Sequence, residues 1–334
     1  MIKRINLRRS TMSSVVGIDI AKGSFDIATL QINDKYRTKA RLPNNPKGFD
    51  ALQAWLGKHA TADAWLVMEA TGIYHLALAE HMYNLGYQVA VINPACISSY
   101  AKSQLQRVKT DKVDAKLIAL YGQRHKDELV AWQPEPLAQR RLRALVRRLE
   151  DLKGLEQMEQ NRLDVSDASV QGSIRSVIQH LEQEITATLK AIKEHIDDDP
   201  DLRGQRELLV SIDGISDKTA ALIMAELANP LRFKSSRAVV AFAGLNPRLQ
   251  ESGKHKGHVR ISRTGSASLR AGLYMPALVA MTHNPAVKAL SERLKAKGKP
   301  GKQIVCAAMR KLLHIAYGVL KSGKPFDAQL AIAH

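Results

Sequence analysis

Apolar residues come in short unbroken runs near the start of the chain and at helical spacing after it. Residues 15–20, 25–32 and about 36–42 read as three short strands, with Asn33-Asp34 marking the second connection. Pro46 opens a predicted helix over roughly 47–58, in which Phe49, Leu52 and Leu56 share one face beside Trp55. Residues 64–68 form a fourth strand ending at Glu69, and Thr71-Gly72 turns the chain into a helix over about 74–85. Residues 87–92 are a fifth strand, stopped by Asn93-Pro94. A helix from about 95, a basic loop with Lys102, Arg107 and Lys109, and a helix from Lys112 complete this region. Three strands in a row, then strands alternating with helices, predict an antiparallel start and parallel crossovers in one sheet.

From Leu137 to about Ile196 the pattern changes. Leu142, Leu145, Leu149 and Leu152 alternate three- and four-residue spacing, as do Ile174, Ile178, Leu181, Ile185, Thr188 and Ile192, with a break over 164–172. Two long helices follow from this, an antiparallel hairpin whose narrow seams suit coiled-coil contact, either within the chain or with a second copy. Asp197-Asp-Asp-Pro200 ends the segment. Residues 205–229 read as helix, Gly214 turn and helix, a partial helix-hairpin-helix pattern with Ser216 where that motif usually has glycine. Such a turn offers amides to a phosphate, or packs as an ordinary helix corner. A small apolar helix then ends at Gly244, a loop dense in Gly, Ser, Lys and Arg follows, and Ser266 or Ser268 caps the next helix. The last predicted helix is 303–320, behind a basic loop over 295–302. The expected fold class is α/β plus α. The expected division is residues 1–133, a helical connector over 134–200, and a mainly α-helical domain over 201–334.

Charge sharpens this picture. The 334 residues carry a formal +18, and it is uneven: residues 231–334 hold 19 Lys and Arg against Glu251, Glu292 and Asp327. An excess confined to one third of the chain points to a polyanion, with nucleic acid favoured over a membrane surface. Aromatic content of 5% argues against recognition by stacking on many unpaired bases. Cys96 and Cys306 are too few for a disulfide framework or a zinc site, so a reducing cytoplasmic setting is expected. No uncharged run of 18 apolar residues is present, and no membrane span is predicted.

Four acids stand out by position. Asp19 interrupts an apolar strand, Glu69 ends another, and Asp111 and Asp114 lie three apart at the start of a helix. In a parallel crossover sheet, strand ends and helix starts meet at one edge. Carboxylates gathered there repel unless a cation joins them, and hard oxygen donors suit Mg2+ or Mn2+ bridging a phosphate. Taken separately, the same acids are a strand-end turn, a helix N-cap and a surface pair. Ser252 offers a second chemistry, since it stands among Arg248, Lys254, Lys256, Arg260 and Arg263, with Arg270 further on. A hydroxyl attacks phosphorus when cations stabilise the developing charge. A Ser-Gly in a basic loop is more often a turn, and Ser262, Ser266 and Ser268 have equal claims by composition.

The strand and helix order is that of the ribonuclease H-like fold. The segments GIDIAK, MEATGIY, VINP, KTDKVDA, AFAGLNP, ESGK, RTGSASLR and LYMPAL together resemble the DEDD-class insertion-sequence transposases, described as bridge-RNA-guided recombinases. The resemblance covers roughly residues 15–325. It implies a RuvC-like N-terminal domain whose acids Asp19, Glu69, Asp111 and Asp114 hold magnesium, a coiled-coil connector, and a C-terminal transposase domain. It implies a covalent serine–DNA link at Ser252, with the acids of one subunit acting with the serine of another. Nucleic-acid contacts are expected at Lys109, Arg248, Lys254, Lys256, Arg260, Arg263 and Arg270. The expected partners are donor and target DNA, a structured guide RNA, and further copies of the chain in a dimer, with a tetramer on DNA. Three other readings stay open: a hydrolytic junction-resolving nuclease, an actin-like ATPase using GIDIAKGSFDI as a phosphate loop, and a non-catalytic RNA-binding scaffold.

Overall fold

The structure, a computed structural model, describes residues 13–31, 35–70, 72–104, 111–248, 251–252, 255–256, 260–262 and 264–329. The chain divides into two compact units, Met1–Pro134 and Glu135–His334.

The first unit is built on a five-stranded sheet. Its strands are β1 (Ser13–Ile20), β2 (Ser24–Leu30), β3 (Tyr36–Pro43), β4 (Ala60–Glu69) and β5 (Gln88–Ile92). Their order is β3-β2-β1-β4-β5, antiparallel across β3, β2 and β1 and parallel across β1, β4 and β5. β1 reads as a continuous apolar run because both faces are covered. Val16, Ile18 and Ile20 join the core under α1 (Pro46–His59) and α2 (Leu76–Asn84), whereas Val15 joins the core under α3 (Pro94–Ser103) and α4 (Asp111–Arg124). β3 is the edge, and Arg37, Lys39 and Arg41 stand exposed along it, the charges that discourage edge-to-edge pairing.

Close packing of α4 on β1 depends on glycine. A Cβ on Gly17 would lie 2.2 Å from the Ala119 amide nitrogen and 2.4 Å from the Ala115 carbonyl oxygen. A Cβ on Gly122 would lie 2.8 Å from Val67 Cγ2 and 2.9 Å from Val15 Cγ1. α4 therefore runs antiparallel to β1, with Gly122 over Val15 and the Ala115–Ala119 turn over Gly17.

The second unit opens with the long hairpin α5 (Leu137–Leu163) and α6 (Ala168–Asp198). Asp167 caps α6 by accepting from the Ser169 amide. The break is four residues, 164–167, shorter than the pattern suggested, because Ala168 and Ser169 already belong to the capped helix. α7 (Pro200–Val210) and α8 (Asp217–Leu227) follow, then α9 (Ser236–Phe242), α10 (Ala267–Gly272), α11 (Tyr274–His283), α12 (Pro285–Ala296) and α13 (Gly301–Ser322). The near ends of α5 and α6, through Leu142, Val146, Leu149, Ile192 and Ile196, share one core with α7 to α13. Further along the hairpin Leu155, Met158, Val165, Val170 and Val177 are exposed.

Two details differ from the pattern reading, and a third bears on an alternative it left open. α12 carries an apolar face on Ala286 and Val287 beside its basic residues, so the 285–296 stretch is helix and the basic loop is correspondingly shorter. The Gly214 turn, at φ +101, lies against α11: a Cβ there would sit 2.8 Å from Ala280 Cβ and 3.0 Å from the Pro276 carbonyl. Its glycine thus serves helix packing. Finally, α13 is long and apolar enough to cross a membrane by length and composition, but 56% of its apolar window is buried. Val305, Ala308, Leu312 and Ala316 lie on its core side.

Candidate active site

Asp19 and Glu69 are brought together by strand register. β1 and β4 are parallel with Ile18 opposite Met68, so the next residues, Asp19 and Glu69, are neighbours at the ends of adjacent strands. Ile18 and Met68 point into the core under α1 and α2, which turns Asp19 and Glu69 to the α4 face. Two strand residues beyond Gly17 span about 6.6 Å, and α4 covers that distance in about four residues. Counting back from the Ala115–Ala119 turn places the Asp111–Asp114 turn over Asp19. Backbone positions of all four acids therefore meet at one sheet edge. Asp114 is partly buried, as are Asp19 and Glu69; the side chain of Asp111 lies outside the described atoms.

A fifth acid was not singled out by sequence. Asp26 pairs directly across from Asp19 in the antiparallel β1–β2 ladder and is 8% exposed. Its Oδ1 accepts from the Arg41 amide at 2.7 Å, where β3 carries an extra residue and Arg41 adopts φ 55. The alternation of SFDIATL already put Asp26 on the face of Ala28, which packs with Ala115 and Ala119. Two carboxylates directly opposite one another repel, so this edge favours a cation. The donors are all oxygens, the chemistry of a hard divalent ion. Among the described residues no three Asp, Glu, His or Cys side chains form a ready-made metal cluster; the convergence is one of backbone positions. The donor set fits Mg2+ or Mn2+, with Asp19, Glu69, Asp111 and Asp114 as the residues that would hold it.

The loops beside this edge are tied by Asn44, another residue missed in the pattern. Its Nδ2 donates to the Ala21 carbonyl at 3.1 Å and the Tyr74 carbonyl at 3.0 Å, joining the β1–β2 turn to the β4–α2 connection. Ile73, in that connection, is 68% exposed.

Ser252 lies in the second unit, in a stretch that reads as loop by composition but forms short ladders. Pro247 pairs with Ile261 and Arg248 with Arg260, while Glu251 pairs with Lys256 and Ser252 with His255. The ladders nest, so Ser252, opposite His255, stands next to the tip of a hairpin. β-pairing was hidden because Gly and charged residues dominate the stretch and alternation is weak. Backbone register places Arg248 opposite Arg260 below the tip; the side chains of Ser252, Arg248, Lys256 and Arg260 are outside the described atoms. Lys109, Lys254 and Arg263 lie wholly outside the described residues.

The competing serines have structural roles. Ser266 caps α10, accepting from the Leu269 amide at 3.0 Å and donating to Glu226 Oε2 at 2.6 Å. Ser268 donates to Glu150 Oε1, and Ser262 Oγ accepts from the Thr264 amide at 3.3 Å. Arg270 is engaged as well: its Nη1 donates to the Ala243 carbonyl at 2.9 Å and the Gly265 carbonyl at 3.2 Å, closing the base of the hairpin segment.

Residues 16–165 match a family model described as a DEDD-type IS110 transposase, and residues 206–292 match one described as the transposase IS116/IS110/IS902 family. The chain is similar to pilin gene-inverting proteins of Moraxella bovis and Moraxella lacunata. Each is 35% identical over 320 residues, covering 94% of this chain and 98% of the relative. It is also similar to the transposase for insertion sequence element IS1328 of Yersinia enterocolitica, at 27% identity over 350 residues, 94% of this chain and 98% of that one. The chain belongs to the IS110 family of transposases, enzymes that bind and recombine DNA.

Proposed function

We propose that the chain is a site-specific DNA recombinase that uses Ser252 as its nucleophile and a metal bound by Asp19, Glu69, Asp111 and Asp114. The observation that carries this reading is the register that sets Asp19 beside Glu69, with the N-terminal turn of α4 above them. The sheet order β3-β2-β1-β4-β5 supports a RuvC-like assignment for the first unit. The position of Ser252 near a hairpin tip supports access to a DNA backbone.

Asp19, Glu69, Asp111 and Asp114 would hold a divalent cation, which when bound would supply charge neutralisation and polarise the phosphoryl oxygens. Ser252 Oγ forms a bond to phosphorus as the bond to the leaving strand's oxygen breaks, and that oxygen departs with a proton. Attack by a hydroxyl of the exchanged strand reverses the step and frees the serine. Arg248, Lys254, Lys256, Arg260 and Arg263 hold backbone phosphates near the serine. Sequence selection falls to a structured guide RNA paired with donor and target DNA, a division of labour in which the protein holds backbones. The charge concentrated over 231–334 and the few aromatic residues support that division. The exposed apolar residues of the α5–α6 hairpin support association of copies, a dimer and, on DNA, a tetramer. The acids of one copy then act with the serine of another.

The test is a denaturing gel of protein, Mg2+, flanking-region RNA and labelled DNA. A protein-linked DNA band is expected, lost in Ser252→Ala and in Asp19→Ala. Cleaved DNA without a linked band, unchanged in Ser252→Ala, would instead identify a hydrolytic junction-resolving nuclease.

A further inference from the structure

Between α5, α6, α7 and α8 lies a cavity of about 240 Å3, well away in sequence from Ser252 and from the acids. Its walls are apolar, with Val146, Leu149, Leu189 and Ile192, and its rim carries Lys193 and Lys218. The carboxylates at the rim, Asp197 and Asp217, are matched by Arg206, which lies 4.0 Å from the first and donates to the second at 2.7 Å. Lys218 has a different neighbour. It interacts electrostatically with Lys153, one helical turn beyond the cavity-lining Leu149 on α5.

Two amines so close are an unusual arrangement in a folded chain. Burial first, then the hydrogen bond and charge of Lys218, push the Lys153 ammonium down to about 8. The carboxylates of Glu156 and Glu150 act in the other direction and do not cancel it; Glu150 already accepts from Ser268. An anionic group placed beside the amines would offset their repulsion and favour the charged form of Lys153. Lys193 on the opposite rim is exposed and faces the same mouth. The cavity is smaller than the roughly 300–1,000 Å3 of drug-sized ligand sites, room for one planar ring system.

We propose that this is a site for a single unpaired nucleotide of DNA or RNA, its phosphate bridging Lys153 and Lys218 and its base in the apolar cavity. The proposal rests on the chain's working on nucleic acid and adds a contact separate from the carboxylate edge and from the Ser252 hairpin. A site of this kind would hold a nucleotide displaced from a duplex, or one from an RNA loop. The charged rim gives the phosphate its partners, and the apolar wall accepts a base of any identity.

The experiment uses the full chain and single-stranded oligonucleotides of one sequence, one DNA and one RNA, each carrying a single 4-thiopyrimidine. Binding is followed against salt, and photo-cross-links are mapped on the protein. The expected result is a cross-link within residues 185–197 or 217–222, in whichever of DNA or RNA is the source. It is lost in the Lys153→Gln, Lys218→Gln double variant, whose plot of log affinity against log salt is shallower by about 0.7, one single-strand phosphate contact. The Lys153→Arg, Lys218→Arg variant, which keeps both charges and serves as the folding control, retains slope and cross-link. Wild-type binding with cross-links only elsewhere, or a slope unchanged by the glutamine pair, would overturn the nucleotide site and leave the recombinase reading intact. Absence of any salt-dependent binding by the wild type would overturn both.

Discussion

At the scale of single residues, the site depends on atoms that are absent as much as on those present. Gly17 leaves room for the backbone of α4, and without that approach the Asp111–Asp114 turn could not reach Asp19. Gly17→Ala is expected to cost about 1–3 kcal/mol, the range for forcing extra volume into a packed interior. Urea unfolding measures it; a midpoint within error of the wild type would show that α4 is not seated there. Asp26 works by hydrogen bonding, since its carboxylate holds the Arg41 amide at the β3 irregularity. Asp26→Ala leaves that amide without its acceptor and should cost about 1–3 kcal/mol, while Asp26→Asn keeps an oxygen and should cost much less. Lys153 has a pH signature. Its folded value near 8 lies below the ordinary 10.5, so below pH 8 both states are protonated and the folded state bears the full cost of the charge. Between about 8 and 10.5 the unfolded chain holds the extra proton, and stability rises with pH. Lys153→Met should flatten that rise; parallel thermal-midpoint curves for the two proteins from pH 7.5 to 10.5 would contradict it.

Among the elements, helix ends explain how the second unit turns a long hairpin into a globular core. Asp199 ends α6 and starts α7, accepting from the amides of Asp201 and Leu202 at 3.0 Å each, and the next buried side chain is Leu202. Asp199→Ala is expected to lower stability by about 1 kcal/mol, the usual loss for a cap. Asp198→Ala, one residue earlier and exposed, should stay within about 0.5 kcal/mol. Equal effects of the two in a denaturant series would remove the cap from the account. The Ser252 hairpin shows the same economy of means. Its base is closed by Arg270 on the Ala243 and Gly265 carbonyls and by the Ser262 amide on the Asn246 carbonyl at 2.8 Å.

For the whole molecule, each unit has its own core, so chemistry and support are built separately. The cluster of Leu142, Ile212, Ala220, Leu273, Leu312 and Ala316 belongs wholly to residues 135–334. That fragment should fold alone, with a cooperative thermal transition by circular dichroism; a gradual, non-cooperative melt would refute it. The composite action of two copies proposed above makes a further prediction. Mixing Asp19→Asn with Ser252→Ala should restore a protein-linked DNA band that neither variant forms alone. No band from the mixture, where each wild-type control is active, would place acids and serine on the same copy.

The sequence determined most of the elements and pointed to the class of chemistry. Runs buried on both faces marked β1 and β4, helical spacing marked α5 and α6, and the concentration of Lys and Arg in the last third pointed to nucleic acid. These are local or compositional signals, and no neighbour in space is needed to read them. What the tertiary structure decided was adjacency. Register alone set Asp19 beside Glu69 and opposite Asp26, because a one-residue slip would have turned one of them to the other face. Gly214 looked equally suited to phosphate or to packing until α11 was found against it. Lys153 and Lys218, 65 positions apart in the chain, became a pair only when α5 packed on α8. The hairpin under Ser252 stayed hidden for the same reason, since its pairing is a property of two strands and neither carries the pattern by itself.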